Sequence, residues 1–366
     1  SKQHKKLKKQ NIMDTKDAPQ IIEHLGKSIA FTPFETRWIP ASARFVLLGQ
    51  TPKAKGIMQV YQLDENELSL VKEKEDGPGF KCATFGASTI TQRHMATGDY
   101  DGYLKIWDLE TMQPTFSVKG HSQIINSIDG CGGLLGQGAP EIVTGSRDGC
   151  VRVWDPRQQD PVLSLEPVEA EVVPDCWAVR FGNAYSPEER TLVAGYDNGD
   201  VKLFDLRTSS LKWDTNLKNG VCGLEFDRKD TLMNKLVVTT LESKFHVFDM
   251  RTFNVDSGYT GLVESAHKST IWGVSHAPQN RDLFATLGGN GAVNLYKYSY
   301  PEKRVIDDLN NNPIGVVGNV KILNEKELAQ QPIISWDWNP DKLGLAVMCA
   351  LDQSVKVVIV TRLGTF

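Results

Sequence analysis

Apolar and polar residues alternate along this chain in short runs, and the alternation has a period of two. Val151 and Val153 face one way and Arg152 the other, as in a strand with one buried face. Asp101-Gly102, Asp148-Gly149 and Asn198-Gly199 punctuate such runs, and Asp-Gly or Asn-Gly pairs suit two-residue hairpin turns. No long stretch repeats its apolar residues at helical spacing. The pattern predicts an all-β chain of many short antiparallel strands.

One phrase recurs within it: a small residue, a tight turn, alternating β-branched residues, an aromatic, then Asp. It reads Gly98-Asp99-Tyr100-Asp101-Gly102-Tyr103-Leu104-Lys105-Ile106-Trp107-Asp108, then Gly145-Ser146-Arg147-Asp148-Gly149-Cys150-Val151-Arg152-Val153-Trp154-Asp155. A third copy runs from Gly195 to Phe204-Asp205, a fourth ends in Phe248-Asp249, and weaker ones end at Tyr61, Tyr296 and Val358. Successive end points lie 46, 47, 50, 44, 48 and 62 residues apart, which makes seven units. Units of this length with four short strands resemble the blades of WD-repeat propellers, whose radial packing leaves only short edges exposed. The resemblance implies one seven-bladed β-propeller over residues 17–366. Unit seven, ending near Val360, has no sequence left for an outer strand. Gln20-Ile21-Ile22-Glu23-His24-Leu25 is therefore expected to close the ring from the N-terminal side. The 62-residue step places an insertion at about Pro301 to Val317, and its Asn310-Asn311-Asn312-Pro313 run reads as an exposed loop.

Composition fits a folded globular protein, with 40% hydrophobic and 23% charged residues. The formal charge of -4 hides an asymmetry: residues 1–16 carry six lysines against Asp14, a net of +5, which leaves -9 for the rest. The basic segment reads as a disordered, solvated tail, and the acidic body argues against nucleic-acid binding. Six scattered cysteines without a C-x-x-C pair argue against a zinc site or a disulfide framework and predict mostly buried thiols. The longest nearly apolar stretch, Leu343 to Leu351, is far shorter than the roughly 20 residues of a spanning helix. No membrane association is expected, and a cytoplasmic location is the default.

His121, Thr144, Asp148 and Trp154 fit the hydrogen-bond relay of the WD-repeat family. A Ser/Thr-His-Asp grouping also describes a catalytic triad. The constellation recurs imperfectly in the repeat frame, however, with Thr97, Asp101 and Trp107 in unit two and His267, Thr286, Asn290 and Tyr296 in unit six. Recurrence of this kind marks a structural device. The glycine-rich run Gly130 to Gly138 lacks the Lys-Ser/Thr and the helix of a phosphate loop. Neither a catalytic set, nor a metal-ligand spacing, nor a cofactor motif is visible, so a non-enzymatic role is expected. Arg157, Arg207 and Arg251 each follow an aromatic-Asp pair, similar to the W-D-x-R box of substrate receptors for cullin-RING ubiquitin ligases. The competing reading is a turn in which each Arg pairs with a nearby carboxylate.

In WD-repeat propellers, partners usually meet the narrower face of the ring. Aligning the units puts Phe34, Lys81, Asn126, Trp177, Cys222, Trp272 and Ile334 at the first position of that face, with Tyr100, Arg147 and Asp197 just before the turn. Exposed aromatics and arginine are hot-spot types, although partial burial between blades explains any single one equally well. Asp175, Asp197 and Trp177 are the only beginnings of a cage for a modified peptide. Longer phrases carry a narrower resemblance: PEIVTGSRDG (140–149), FGNAYSPEER (181–190), AGYDNGDVKLFDLR (194–207), NGVCGLEFDRKD (219–230), KFHVFDMRT (244–252) and AHKST (266–270). Together they are similar to the Monad-type dynein axonemal assembly factors. That resemblance implies a cytoplasmic adaptor, monomeric within larger complexes, linking RuvB-like ATPase and prefoldin-like co-chaperones to axonemal dynein chains.

Overall fold

A computed structural model of the chain describes residues 18–134, 138–167, 172–307 and 312–365. The basic tail lies outside these residues, as do Asn310 and Asn311. Seven four-stranded antiparallel sheets succeed one another along the chain and close into a ring. Blade one spans residues 32–78, blade two 80–119, blade three 125–165, blade four 176–216, blade five 221–265, blade six 271–327 and blade seven 333–360. Each blade runs from an inner to an outer strand, as in Phe80–Thr84, Met95–Asp99, Tyr103–Asp108 and Gln113–Lys119 of blade two.

The core lies between blades. Cys82, Ala96, Leu104 and Ile106 of blade two pack with Ile125, Ile128, Ile142 and Trp154 of blade three, and similar clusters fill the other gaps. Burial on both faces explains why the middle strands are nearly continuous apolar runs such as Leu192-Val193-Ala194. Between blades five and six this apolar fill is interrupted by Lys235, which is fully buried with its ammonium 3.7 Å from both Asp227 and Asp282. A buried ammonium persists only when paired in this way.

The fourth strand of blade seven comes from the other end of the chain. Ile21–Ser28 pairs antiparallel with Ser354–Val360, from Ile21 opposite Val360 to Ser28 opposite Ser354. This closure was expected, but the strand runs three residues beyond Leu25. A bulge at His24 changes what it seals. In an unbroken strand, Ile21 and Leu25 would share a face. With the extra residue, Ile21 enters the core between blades six and seven, while Leu25 packs on the core between blades seven and one.

The insertion departs from the expected loop. Val305–Asp307 pairs with Pro313–Gly315 in a two-stranded hairpin, and blade six resumes with Asn319–Glu327 as its outer strand. The hairpin leans on blade five: Arg304 lies 3.6 Å from Asp249, and Asn254 Nδ2 donates to the Pro313 carbonyl at 3.5 Å. The apolar residues Val305, Ile306 and Ile314 form the strands, a signal outweighed in the sequence by the asparagine run between them.

Candidate functional site

The antiparallel order of each blade puts the start of the inner strand on the same face as the turn between second and third strands. Just inside that face every inner strand carries a β-bulge, and the residue without a register partner is Phe34, Lys81, Asn126, Trp177, Cys222, Trp272 or Ile334 in blades one to seven respectively. A bulge residue is released from the ladder and its side chain is re-aimed. All seven line one cavity of about 420 Å³ in the central channel, a size usual for ligand clefts. In each blade the preceding residue, such as Ile125, Cys176 or Val221, is buried between blades. One residue of irregularity thus separates core from channel.

Tyr100, Arg147 and Asp197 stand outside the cavity lining, on its rim. The Tyr100 ring lies 5.7 Å from that of Phe34, and the Lys81 ammonium sits 4.7 Å from the centre of the same Phe34 ring. Arg147 Nε approaches Asp175 at 3.4 Å, and the Asp197 amide donates to the Asp175 carbonyl at 3.0 Å. Asp175 is therefore neutralised by a neighbour rather than offered to a cationic ligand. Burial, then the Asp175 charge, raises the Asp197 pKa. Trp177 packs beside Gly220, where a Cβ would come within 2.9 Å of its ring, and Trp272 is 38% exposed. Phe34, Tyr100 and Trp177 are half-buried, so facing the mouth and packing between blades describe the same residues at once.

Deeper in the cavity lie Glu35, Arg37, Arg180 and Glu225, which the repeat alignment did not single out. Their signal was a charge inside an inner strand flanked by apolar residues, as in Val179-Arg180-Phe181 and Leu224-Glu225-Phe226. Glu35 pairs with Arg37 at 3.2 Å and accepts the Ser335 hydroxyl at 2.6 Å. Arg37 also reaches Asp337 at 3.3 Å, and Glu225 accepts both the backbone and the ring nitrogen Nδ1 of His276.

The relay assembles in blade three. Trp154 Nε1 donates to Thr144 Oγ1 at 2.9 Å, Thr144 Oγ1 meets His121 Nε2 at 2.8 Å, and His121 Nδ1 meets Asp148 at 3.1 Å. An ionised carboxylate only accepts, so the ring proton sits on Nδ1, facing Asp148, and in the neutral ring Nε2 accepts the Thr144 hydroxyl, whose oxygen accepts the indole N–H. Burial pushes the Asp148 carboxyl up, but hydrogen bonds from His121, Cys150 and Ser122 hold it well below the usual carboxylate range. Gly120 precedes His121 because a Cβ there would come within 2.8 Å of the Trp154 ring. The His121 side chain is fully buried and Asp148 nearly so, none of the four lines the central cavity, and this closed geometry suits packing rather than nucleophilic attack. Blade two departs from the expected pattern. Trp107 still donates to Thr97, but Asp101 is exposed and buried Asp99 accepts the turn amides of Asp101 and Tyr103 instead. With no histidine in the link before that blade, Asp101 has nothing to bind inward. In blade six His267 Nε2 meets Thr286 at 2.8 Å, while its Nδ1 has no hydrogen-bond partner beside Asn290.

The three arginines lie at the opposite face, in turns between third and outer strands. The backbone amides of Arg157, Arg207 and Arg251 donate to Asp155, Asp205 and Asp249 at 3.0, 2.8 and 2.9 Å. Glu110 donates to Asp108 in the same way without an arginine. The Asp is fixed by turn chemistry, therefore, and the Arg side chain is separable from it. Arg157 folds back on Asp155 through the Nε–Nη2 edge of its guanidinium, and all three arginines are exposed. All six cysteines are free thiols, four of them buried. The first half of the glycine-rich run is anchored, with the Gly133 amide donating to the Gly86 carbonyl, and residues 135–137 lie outside the described residues. Among the described residues no group of three or more His, Cys, Asp or Glu could hold a metal, and no helix is long and apolar enough to cross a membrane.

A family model for the WD domain, G-beta repeat, matches residues 84–108 and 112–155, which end on the two Trp-Asp pairs. Full-length relatives are more specific. The chain is 56% identical to dynein axonemal assembly factor 10 of Danio rerio over 95% of its own length and 98% of the relative's. The figures for the protein of that name from Homo sapiens are 55%, 96% and 99%, and for that from Chlamydomonas reinhardtii 51%, 96% and 99%. A seven-bladed ring whose sequence is shared at this level from alga to human, over nearly its whole length, belongs to the dynein axonemal assembly factor 10 family of WD-repeat proteins.

Proposed function

We propose that the chain is a non-enzymatic interaction scaffold for the cytoplasmic preassembly of axonemal dyneins. The observation that carries this reading is identity above one half, across about 96% of the chain, to proteins named as assembly factors in animals and a green alga. In the finer reading it bridges RuvB-like ATPase and prefoldin-like co-chaperones to dynein chains, as a monomer within larger complexes. The contact face is the bulge-lined mouth, through Phe34, Lys81, Asn126, Trp177 and Trp272, with Tyr100, Arg147 and Asp197 at its rim. Aromatic side chains around a preformed cavity supply contact area at small entropic cost. A ubiquitin-ligase receptor draws less support, because Arg157 is occupied by Asp155 within its own turn.

Affinity purification of the full chain from ciliated cells, beside a Trp177→Ala/Trp272→Ala variant, tests both levels. Wild type is expected to recover axonemal dynein chains and RuvB-like ATPase, and the folded variant to recover less. Absence of both from the wild type sinks the scaffold reading. Equal recovery by the variant removes only the assignment to this mouth.

A further inference from the structure

Three cations and two carboxylates line the cavity, and two of the cations stand without a direct ion pair. Its ionisable lining consists of Glu35, Arg37, Lys81, Arg180 and Glu225, besides cysteines. Both carboxylates are engaged, Glu35 by Arg37 and Ser335, and Glu225 by His276. Among the described residues, Lys81 and Arg180 have no carboxylate within 4.0 Å; Glu35 and Asp129 reach them only through longer-range attraction. Arg180 Nη1 reaches only the Val179 carbonyl at 2.8 Å and Ser127 Oγ at 3.4 Å, and the Lys81 ammonium rests against the Phe34 ring. Burial lowers the Lys81 pKa, so its charge is held there at a cost that an arriving anion would relieve. Elsewhere in this ring cations at comparable depth are matched, as Lys229 is by Asp129 at 2.6 Å and Lys235 by two aspartates.

We propose that the mouth binds an acidic peptide segment of a partner, with an Asp or Glu carboxylate taken between Lys81 and Arg180 and an adjacent apolar side chain held by Trp177 and Trp272. Charge complementarity selects the carboxylate, since two cations without a direct ion pair share one cavity. The aromatic wall selects a peptide over a free ion, because a small anion leaves Trp177 and Trp272 without contact. Arg180 lies in pockets reached from both ends of the channel, whereas Lys81 lines only the bulge-lined one, so the acidic group enters from that side. This inference rests on the reading of the mouth as the contact face and adds the chemistry of what it contacts.

A random-peptide phage library panned on the purified full chain tests it, with the enriched peptides then synthesised and measured by fluorescence anisotropy. Enriched sequences are expected to carry Asp or Glu beside Trp, Phe or Leu. Lys81→Gln should weaken them about tenfold or more, the loss of one charge-assisted bond, and Lys81→Arg should retain most of the affinity. Rising salt should weaken wild-type binding more than Lys81→Gln binding. Enriched peptides without acidic residues, unchanged affinity in Lys81→Gln, or no enrichment at all would each overturn the proposal. So would quenching of tryptophan emission by inorganic phosphate where acidic peptides have no effect, since that assigns the cations to a free anion. Loss of peptide binding in Lys81→Gln while dynein chains still co-purify would leave the scaffold standing through another face.

Discussion

Replacing Asp148 tests the blade-three relay at its best-defined point. Its two carboxylate oxygens divide their work. Oδ1 accepts the Cys150 amide at 3.0 Å and Oδ2 the Ser122 amide at 2.9 Å, with the His121 Nδ1 proton between them at 3.1 and 3.2 Å. In Asp148→Ala, the His121 N–H is orphaned at zero exposure, which costs about 1–3 kcal/mol, while the two amides lie near enough to the surface to find water at a smaller loss. The sum is about 2–4 kcal/mol, a large part of the stability of an ordinary domain. Asp148→Asn keeps the volume but turns one oxygen into a donor facing a donor, so a loss of the same order is expected. Blade six provides the converse, because a neutral Asn290 stands beside His267 Nδ1 where blade three has the Asp148 carboxylate. Asn290→Asp should therefore stabilise, by about 0.5–1 kcal/mol given its exposure. Equilibrium urea unfolding, followed by tryptophan emission and far-ultraviolet circular dichroism with coincident transitions, measures each change. The reasoning is refuted if Asp148→Asn stays within about 0.5 kcal/mol of wild type, the usual scatter of surface changes, or if both substitutions shift stability in the same direction.

Deleting residues 18–28 removes Ile21 and Leu25 from two cores and bares an edge of blade seven. At about 1.5–3 kcal/mol per buried aliphatic side chain, less for half-buried Leu25, the urea midpoint should fall by the equivalent of about 3–5 kcal/mol and aggregation should rise; an unchanged midpoint excludes the closure role. Burial pushes His267 down to about 4, against about 6.5 when unfolded, so the fold holds it neutral. Its contribution is complete above pH 6.5 and is lost as the pH falls towards 4. Wild type should therefore lose about 2 kcal/mol more than His267→Gln between pH 7 and pH 5, and parallel profiles for the two would contradict this. Arg157→Ala frees Asp155 but leaves its turn amide in place, so the urea midpoint should not move measurably at this exposed pair; a clear drop would show that the ion pair holds the turn.

The fold was legible because its decisive signals are local. An Asp-Gly turn, a period of two and an aromatic-Asp end each belong to one hairpin, and repetition multiplies weak evidence. The seven mouth positions were legible for the same reason, since a fixed offset from the repeat frame finds the bulge without any knowledge that a bulge is there. Three features depended on partners distant in sequence and stayed hidden. Whether Asp101 turns inward depends on a histidine from the preceding link, which blade two lacks. Whether Lys81 finds a carboxylate depends on Glu35 having already chosen Arg37 and Ser335. The His24 bulge shows only when both flanking blades are present to receive Ile21 and Leu25. The Val305–Gly315 hairpin was missed differently: composition averaged its β-branched residues with the asparagines between them.

The pairing of Ser28 with Ser354 also sets a clock. A ribosome adding about 5–20 residues per second needs on the order of half a minute to pass from one to the other. Throughout that interval the emerging chain carries Ile21 and Leu25 without their partners, and blade one without its neighbour. Six blades can stack as they appear, but the last sheet joins the earliest strand of the ring to its latest ones. The molecule is therefore most exposed to misassociation until Ser354–Val360 emerges, and a product stalled before that strand keeps both faces of the gap open however well its other blades have formed.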